Sequence, residues 1–417
     1  MIQPAQHPAT KLAEPPQVRS SIFLLVTRLH VRALFATGLA LAAGVAPAAI
    51  AQQVSMAGFA FGGDYATAAK RFPYTFKLDQ SFKAGQGNTL TRQVMERVMA
   101  APKPLLQFAA PDTLTVLKGA DQALLSVLLM TGESVSSEQF NGYFKTFVNL
   151  RGDALIFDFK SKAVVRSYPI SVTLYDASAA LPTEAELEAM VKSLLLRVDN
   201  GGLVTQYVRR MEAASLPTPA TRSFQIRRAT VGLDALAVLP PALRASPELA
   251  GQVFSDAFGA VLAAKLGISL LPGGMGHAMG SMTLRLHNGE DVELKVGEGD
   301  YLFDLTINNF VKVKSGENAV GASFVYGVKG NLRFYEPALN TDYLRTDIKN
   351  GEVKLVPGGQ LGVDDYPAYE AALRGLFLKF AAALNEPADL TWITTAAAEK
   401  NIGAQLTSTR AILKASK

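Results

Sequence analysis

Apolar positions along the chain make two passes through the same order of elements. In the first pass, Val54 to Phe61 reads as a strand, and Asn88 caps a helix that places Leu90, Val94, Met95, Val98 and Met99 on one face. Pro102 and Pro104 stop that helix. Leu124 to Met130, Gly142 to Leu150, Ala154 to Phe159 and Ala163 to Tyr168 read as strands, the last two joined by a Lys160-Ser161-Lys162 turn. Thr183 and Glu186 stand at capping-box spacing ahead of Leu187, Met190, Val191, Leu194 and Leu195, which share a helical face.

The second pass begins with a short apolar strand, Ala235 to Leu239. Ser246, Pro247 and Glu248 then supply a cap, a first-turn proline and a first-turn acid to a helix carrying Leu249, Val253, Phe254, Phe258, Val261, Leu262 and Leu266, which Gly267 ends. Tyr301 to Val313, Ala322 to Phe334, Tyr343 to Ile348 and Val353 to Val356 predict strands, with Asn350-Gly351 as the turn between the last two. A final helix over residues 366–384 buries Leu373, Leu376, Phe377 and Phe380.

This order predicts an α+β chain of two tandem, approximately repeated domains, each a mixed or antiparallel sheet with helices packed on it. Aligning Leu90 with Leu249, Leu124 with Tyr301 and Leu187 with Leu373 gives offsets of 159, 177 and 186, so the second copy is the longer one. The expected boundaries are a leader over 1–51, a first domain over 52–198, a linker over 199–223, a second domain over 224–384 and a C-terminal tail over 385–417. The linker holds Asn200-Gly201-Gly202 and Pro217-Thr218-Pro219, with room for a short helix from Leu203 to Met211.

The leader has its own pattern. Arg28, His30 and Arg32 precede an apolar run from Ala33 to Ala46, Pro47 breaks it, and Ala49-Ile50-Ala51 offers the small residues that a signal peptidase requires. Export to the periplasm with cleavage before Gln52 is the expectation. The run is shorter than the roughly 20 residues of a membrane span, and no later apolar run is expected to cross a bilayer as a helix.

Composition narrows the chemistry. The 417 residues include no cysteine, which excludes zinc fingers, thiolate-bound iron–sulfur clusters, catalytic thiols and a lipid-anchoring cysteine. Removing residues 1–51 takes four basic side chains and one acid from totals of 41 and 36, leaving 37 and 35. The mature chain is therefore close to neutral and holds no cationic run, and nucleic acid is not an expected partner. Arg209-Arg210 and Arg227-Arg228 read as solvated pairs.

Catalytic motifs do not emerge. His277 and His287 are the histidines left in the mature chain, and Gly297-Glu298-Gly299-Asp300-Tyr301 lacks the third glycine and the following helix of a dinucleotide loop. Asp364-Asp365 precedes Tyr366-Pro367 at a helix start, where acids meet the helix dipole. One segment stands apart: Met275, His277, Met279 and Met282 place three thioethers and an imidazole within eight residues among glycines. Soft thioether donors with one histidine suit Cu(I), while a Gly/Met loop after a helix also reads as a hinge, a hydrophobic flap or a contact surface.

Ala237-Val238-Leu239-Pro240, the helix beginning Ser-Pro-Glu-Leu at Ser246, the strand beginning Gly-Asp-Tyr-Leu at Gly299, and Asn350-Gly351-Glu352-Val353 ahead of a helix resemble the periplasmic domain shared by the curli secretion channel family and the N-terminal domain of the Tol-system protein TolB. The resemblance covers about 150 residues of the second half and, less fully, the first. The chain lacks both the anchoring cysteine of the former and the propeller repeats of the latter. The resemblance implies a periplasmic partner-binding or assembly fold and carries over no catalytic residue. The expected function is thus a non-catalytic envelope binding or assembly protein with an envelope or secreted protein partner, a homo-oligomer being compatible. The alternatives are a copper-binding protein using the Met/His loop and an envelope hydrolase without a local motif.

Overall fold

The computed structural model describes residues 53–85, 89–102, 105–110, 123–140, 142–218, 221–273, 281–285, 289–357, 365–385 and 390–415. From Ala51 to Lys417 the chain is one contact unit. Its first half runs β1 (Gln53–Phe61), α1 (Ala68–Arg71), α2 (Pro73–Ala84), α3 (Leu90–Met99), β2 (Gln107–Ala109), β3 (Leu124–Phe140), β4 (Tyr143–Asp158), β5 (Ala163–Ser178), α4 (Glu184–Leu196) and α5 (Leu203–Ala213). The second half runs β6 (Phe224–Ile226), β7 (Thr230–Val231), α6 (Leu233–Ala237), α7 (Pro241–Arg244), α8 (Pro247–Leu266), β8 (Leu270–Leu271), β9 (Ser281–Arg285), β10 (Asp291–Lys295), β11 (Tyr301–Asn318), β12 (Gly321–Glu336), β13 (Thr341–Pro357), α9 (Tyr366–Leu384), α10 (Thr391–Ala396) and α11 (Ile402–Ala415).

The fold is α+β, with two sheets ordered β2-β1-β3-β4-β5-β10-β9 and β13-β12-β11-β6-β8. In the first, β1 lies parallel to both β2 and β3, and β3, β4 and β5 form an antiparallel meander. In the second, β6 lies parallel to β8 and β11, and β11, β12 and β13 form the meander. Local chemistry sets the helix ends. Thr183 and Glu186 close a full capping box on α4, the Ser246 hydroxyl accepts the Leu249 N–H at the start of α8, and Gly267 ends α8 in the left-handed conformation at φ 66°.

Burial separates the two sheets. Each has one face under helices within a shared core that runs through both halves, where Val191, Leu194 and Tyr207 join Phe303, Phe377 and Phe380. The first sheet's other face is also covered. The β9–β10 hairpin brings Leu284, Val292 and Leu294 onto Ala57, Leu125, Val127, Leu129, Leu155 and Phe157, and the sheet curls until Leu284 bridges Gly62. Farther along that face lies α8, which packs on β5 and on α9. Consequently β4 is buried from Thr146 through Phe157.

Several sequence expectations change. Ala235–Leu239 is not a strand: Leu233–Ala237 is a helix, begun by Gly232 and followed closely by Pro240 and Pro241. Asn350-Gly351 is not a turn, because β13 runs straight through it, pairing Asn350 with Val328 and Gly351 with Gly327; the Asn350 amide donates to the Ala372 carbonyl of α9, so its polarity serves helix docking. Arg151 to Asp153, read as a break between two strands, lies within the continuous β4. The span 199–223 contains α5, longer than foreseen, and 385–417 contains α10 and α11, of which α11 packs on β13. Thr89 caps α3 where Asn88 was expected, Asn88 lying outside the described residues. Among the described residues, α8 is the one helix long and apolar enough to cross a membrane by length and composition, and it is a core helix here.

Candidate functional site

The site begins with a β-bulge. Register shifts between Met130 and Gly132 on β3, opposite Arg151 and Gly152 on β4. A Cβ at Gly132 would stand 2.1 Å from Arg151 Nη2, so glycine is what lets the guanidinium lie flat across β3. The Arg151 side chain is only 2% exposed and donates through Nη1 to Asp256 Oδ2 at 2.9 Å. Gln252, one turn earlier on α8, donates through Nε2 to the other Asp256 oxygen at 2.6 Å. A buried arginine is tolerable only with such a counter-charge, and α8 supplies it from the other half of the chain.

Asp153 sits two residues beyond Arg151 on β4 and therefore on the same face. The Ser167 hydroxyl of β5 donates to it over a long 3.4 Å, little compensation for a buried carboxylate. Burial, reinforced by the nearby Asp256 charge, pushes the Asp153 carboxyl up to about 7. Asp256 is also raised by burial, against the opposing pull of Arg151 and Gln252. Glu133 accepts the N–H groups of Tyr74 and Thr75 at 2.8 and 2.9 Å, holding the start of α2, and burial raises it as well.

These groups face a cavity of about 590 Å³. Phe72, Leu129, Ile226, Leu249 and Leu270 give it apolar walls drawn from both halves. Arg71 and Asp64 line another part of it, with the Arg71 guanidinium donating to the Asp64 carbonyl and burial lowering its pKa. A cavity of this size, mostly apolar with a few convergent polar groups, has the make-up of a small-molecule site. Two orphaned atoms add to the picture: Gln252 Oε1 and Arg151 Nε are buried with no hydrogen-bond partner.

The residues singled out from the sequence are not among those that build this cluster in the described part of the chain. Met275, His277 and Met279 are outside the described residues, and Met282 is on β9, its backbone paired with Leu294. Among the described residues no three His, Cys, Asp or Glu side chains converge on a metal position. Asp365 stands at the helix start expected of it, as the N-cap of α9, but makes no side-chain cap bond: it accepts from Lys312 Nζ at 2.8 Å and from the Tyr326 hydroxyl at 2.6 Å, while Asp364 is outside the described residues. Arg227 pairs with Asp304 and Arg210 is half-buried, so neither basic pair is fully solvated. Sequence reading missed Arg151, Asp153, Gln252 and Asp256. The available signal was an Arg-Gly-Asp triplet between two apolar strand segments, polar residues where burial was otherwise continuous.

No protein-family description matches the chain, and no curated protein does. Among solved structures, the chain is similar to a crystal structure of a Xanthomonas campestris protein of family DUF330, at 13% identity over 43% of this chain and 91% of that one, with a TM-score of 0.21. At that score the similarity carries neither fold nor function across.

Proposed function

We propose that the chain is an exported protein of the cell envelope that works by binding, its ligand or partner group entering the cavity between β4 and α8. The observation that carries this reading is the cavity's construction: about 590 Å³ of mainly apolar space, with a charged cluster drawn from both halves of the chain at one wall. The leader pattern ending at Ala51 supports export, and the resemblance to periplasmic partner-binding domains supports an assembly role. The test is to extract the protein from the periplasm, sequence its N-terminus and record its native mass spectrum. The expected result is a chain beginning at Gln52 that carries a bound small molecule or partner, lost when Leu249→Trp fills the cavity. A chain retaining residues 28–46, or one whose bound mass is indifferent to Leu249→Trp, overturns the reading.

One observation favours a second reading, an envelope hydrolase. A carboxyl titrating near neutrality in a cavity is suited to general acid or base work, and Asp153 is such a group. Turnover of an envelope polymer that vanishes in Asp153→Asn decides for it.

A further inference from the structure

Apart from the orphaned Nε of Arg151, which lies against Gly132, the polar atoms left for a ligand at this wall are acceptors. Asp153 has its one hydrogen bond from Ser167, and Gln252, only 6% exposed, has an oxygen with no donor. The orientation of that amide is fixed by its neighbour, since its nitrogen donates to Asp256 and a flip would set oxygen against carboxylate. Arg151 does not offset this pattern: its charge is paired with Asp256 and its guanidinium lies against Gly132. Charge points the same way. Facing Asp153 are Arg151 from its own strand, Ser167 from β5 and Asp256 from α8, while Glu133, paired in register with Leu150 on the other face of β4, turns to the start of α2; with Asp153 ionised, two carboxylates stand against one arginine. Arg71 and Asp64, farther along the lining, cancel one another.

We propose that the cavity binds an organic cation, an ammonium group on an apolar body, with the ammonium held by Asp153, Asp256 and the free carbonyl of Gln252 and the body against Phe72, Leu129 and Leu249. The proposal rests on reading the cavity as a binding site and adds the class of ligand. An ammonium presents three donors to three acceptors and balances the excess carboxylate, which a carboxylic acid or a sugar does not do. It also has a proton signature. With Asp153 near 7, the ionised form that binds the cation is a minor species at pH 6 and the major one at pH 8. Apparent affinity scales with that fraction, so it rises about tenfold over the interval.

Isothermal titration of the mature chain with hexylammonium, hexanoate and Mn²⁺ tests this, at pH 6 and pH 8 and in buffers of different ionisation enthalpy. Hexylammonium is expected to bind about tenfold more tightly at pH 8, with release of close to one proton at pH 6. Asp153→Asn, which keeps the shape of the side chain, should remove both the pH dependence and the proton release, while Leu249→Trp should abolish binding with the charges intact. Thermal melts of both variants establish that they are folded. Preferential binding of hexanoate or Mn²⁺, binding of hexylammonium without proton release, or no binding by the folded wild type overturns the proposal. An anionic molecule found on the periplasmic protein and lost in Leu249→Trp would leave the binding reading standing and remove this one.

Discussion

The two meanders place the same bulge in the same place and make opposite use of it. In the first sheet register shifts between Met130 and Gly132; in the second it shifts between Ile307 and Asn309, 177 positions later, the offset that aligns Leu124 with Tyr301. Each bulge faces a glycine on the next strand whose absent Cβ makes room for a carbonyl: at Gly152 a Cβ would stand 2.8 Å from the Leu129 oxygen, at Gly330 2.3 Å from that of Thr306. Beside these glycines the chains diverge. Arg151 and Asp153 of β4 correspond in register to Lys329 and Asn331 of β12. Lys329 is exposed and Asn331 donates to Asp347 on an open face, whereas Arg151 and Asp153 lie beneath α8. A polar position on a strand becomes a site when a third element covers it, because burial turns an ordinary charge into one that demands a partner.

The sharpest way to break this comparison is to remove the space that holds Arg151. Gly132→Val drives the guanidinium off Asp256 and strands a buried carboxylate, at an expected cost of about 3–5 kcal/mol in denaturant unfolding. Lys329→Met, at the matching position of the open face, should change stability by no more than about 0.5 kcal/mol. Equal costs would mean that the cover over the first sheet does not distinguish the two positions.

Next in size is the hairpin cover itself. Leu294→Ala removes a fully buried side chain from the small core over Leu125, Val127 and Phe157, for about 3 kcal/mol. Val353→Ala, on an exposed stretch of β13, should be within about 0.5 kcal/mol of wild type.

What was legible in the sequence follows the same divide. Capped, amphipathic helices could be read because their signals are local: Thr183 with Glu186, Ser246-Pro247-Glu248 and Gly267 all act where they were expected. Continuous strands were harder. Arg151 to Asp153 and Asn350-Gly351 break an apolar run in sequence, but strand pairing carries the backbone through them, with β3 and β5 on either side of the first and β12 beside the second. The site itself depends on Arg151 meeting Asp256, 105 residues apart, and nothing in the spacing of either residue announces the other. The Ala235–Leu239 misreading has the reverse cause, a five-residue apolar segment with no period, which its context folds as one helical turn.

A pH experiment sharpens the comparison at Asp153. In the unfolded chain this carboxyl titrates near 3.9, and in the folded chain at about 7, so the native state holds a proton that the unfolded state has lost between those values. Stability contributed by this group is therefore undiminished below about pH 4 and falls as pH rises toward 7. Asp153→Asn should gain about 2.6 kcal/mol on the wild type between pH 5 and pH 8, flattening the decline in Tm. Asn331→Asp, creating the acid at the matching open position, should introduce no such slope.

The smallest effects compare the two helices that follow the meanders. Thr183 begins α4 with a capping box: its hydroxyl accepts the Glu186 N–H, and Glu186 accepts the Thr183 N–H at 2.7 Å. Asp365 begins α9 without a side-chain cap and ties the helix start to the sheet through Lys312 and Tyr326. One contact is a local backbone bond and the other a half-exposed charge pair, so they should respond differently to salt. Thr183→Ala is expected to cost about 1 kcal/mol with little change between 0.05 and about 1 M NaCl. Asp365→Asn, which keeps an acceptor for Tyr326 and removes the charge, should cost about 0.5 kcal/mol at low salt and close to nothing at high salt. A salt-independent loss for Asp365→Asn would show that the Tyr326 hydrogen bond, and not the Lys312 charge, is what secures α9 to the second sheet.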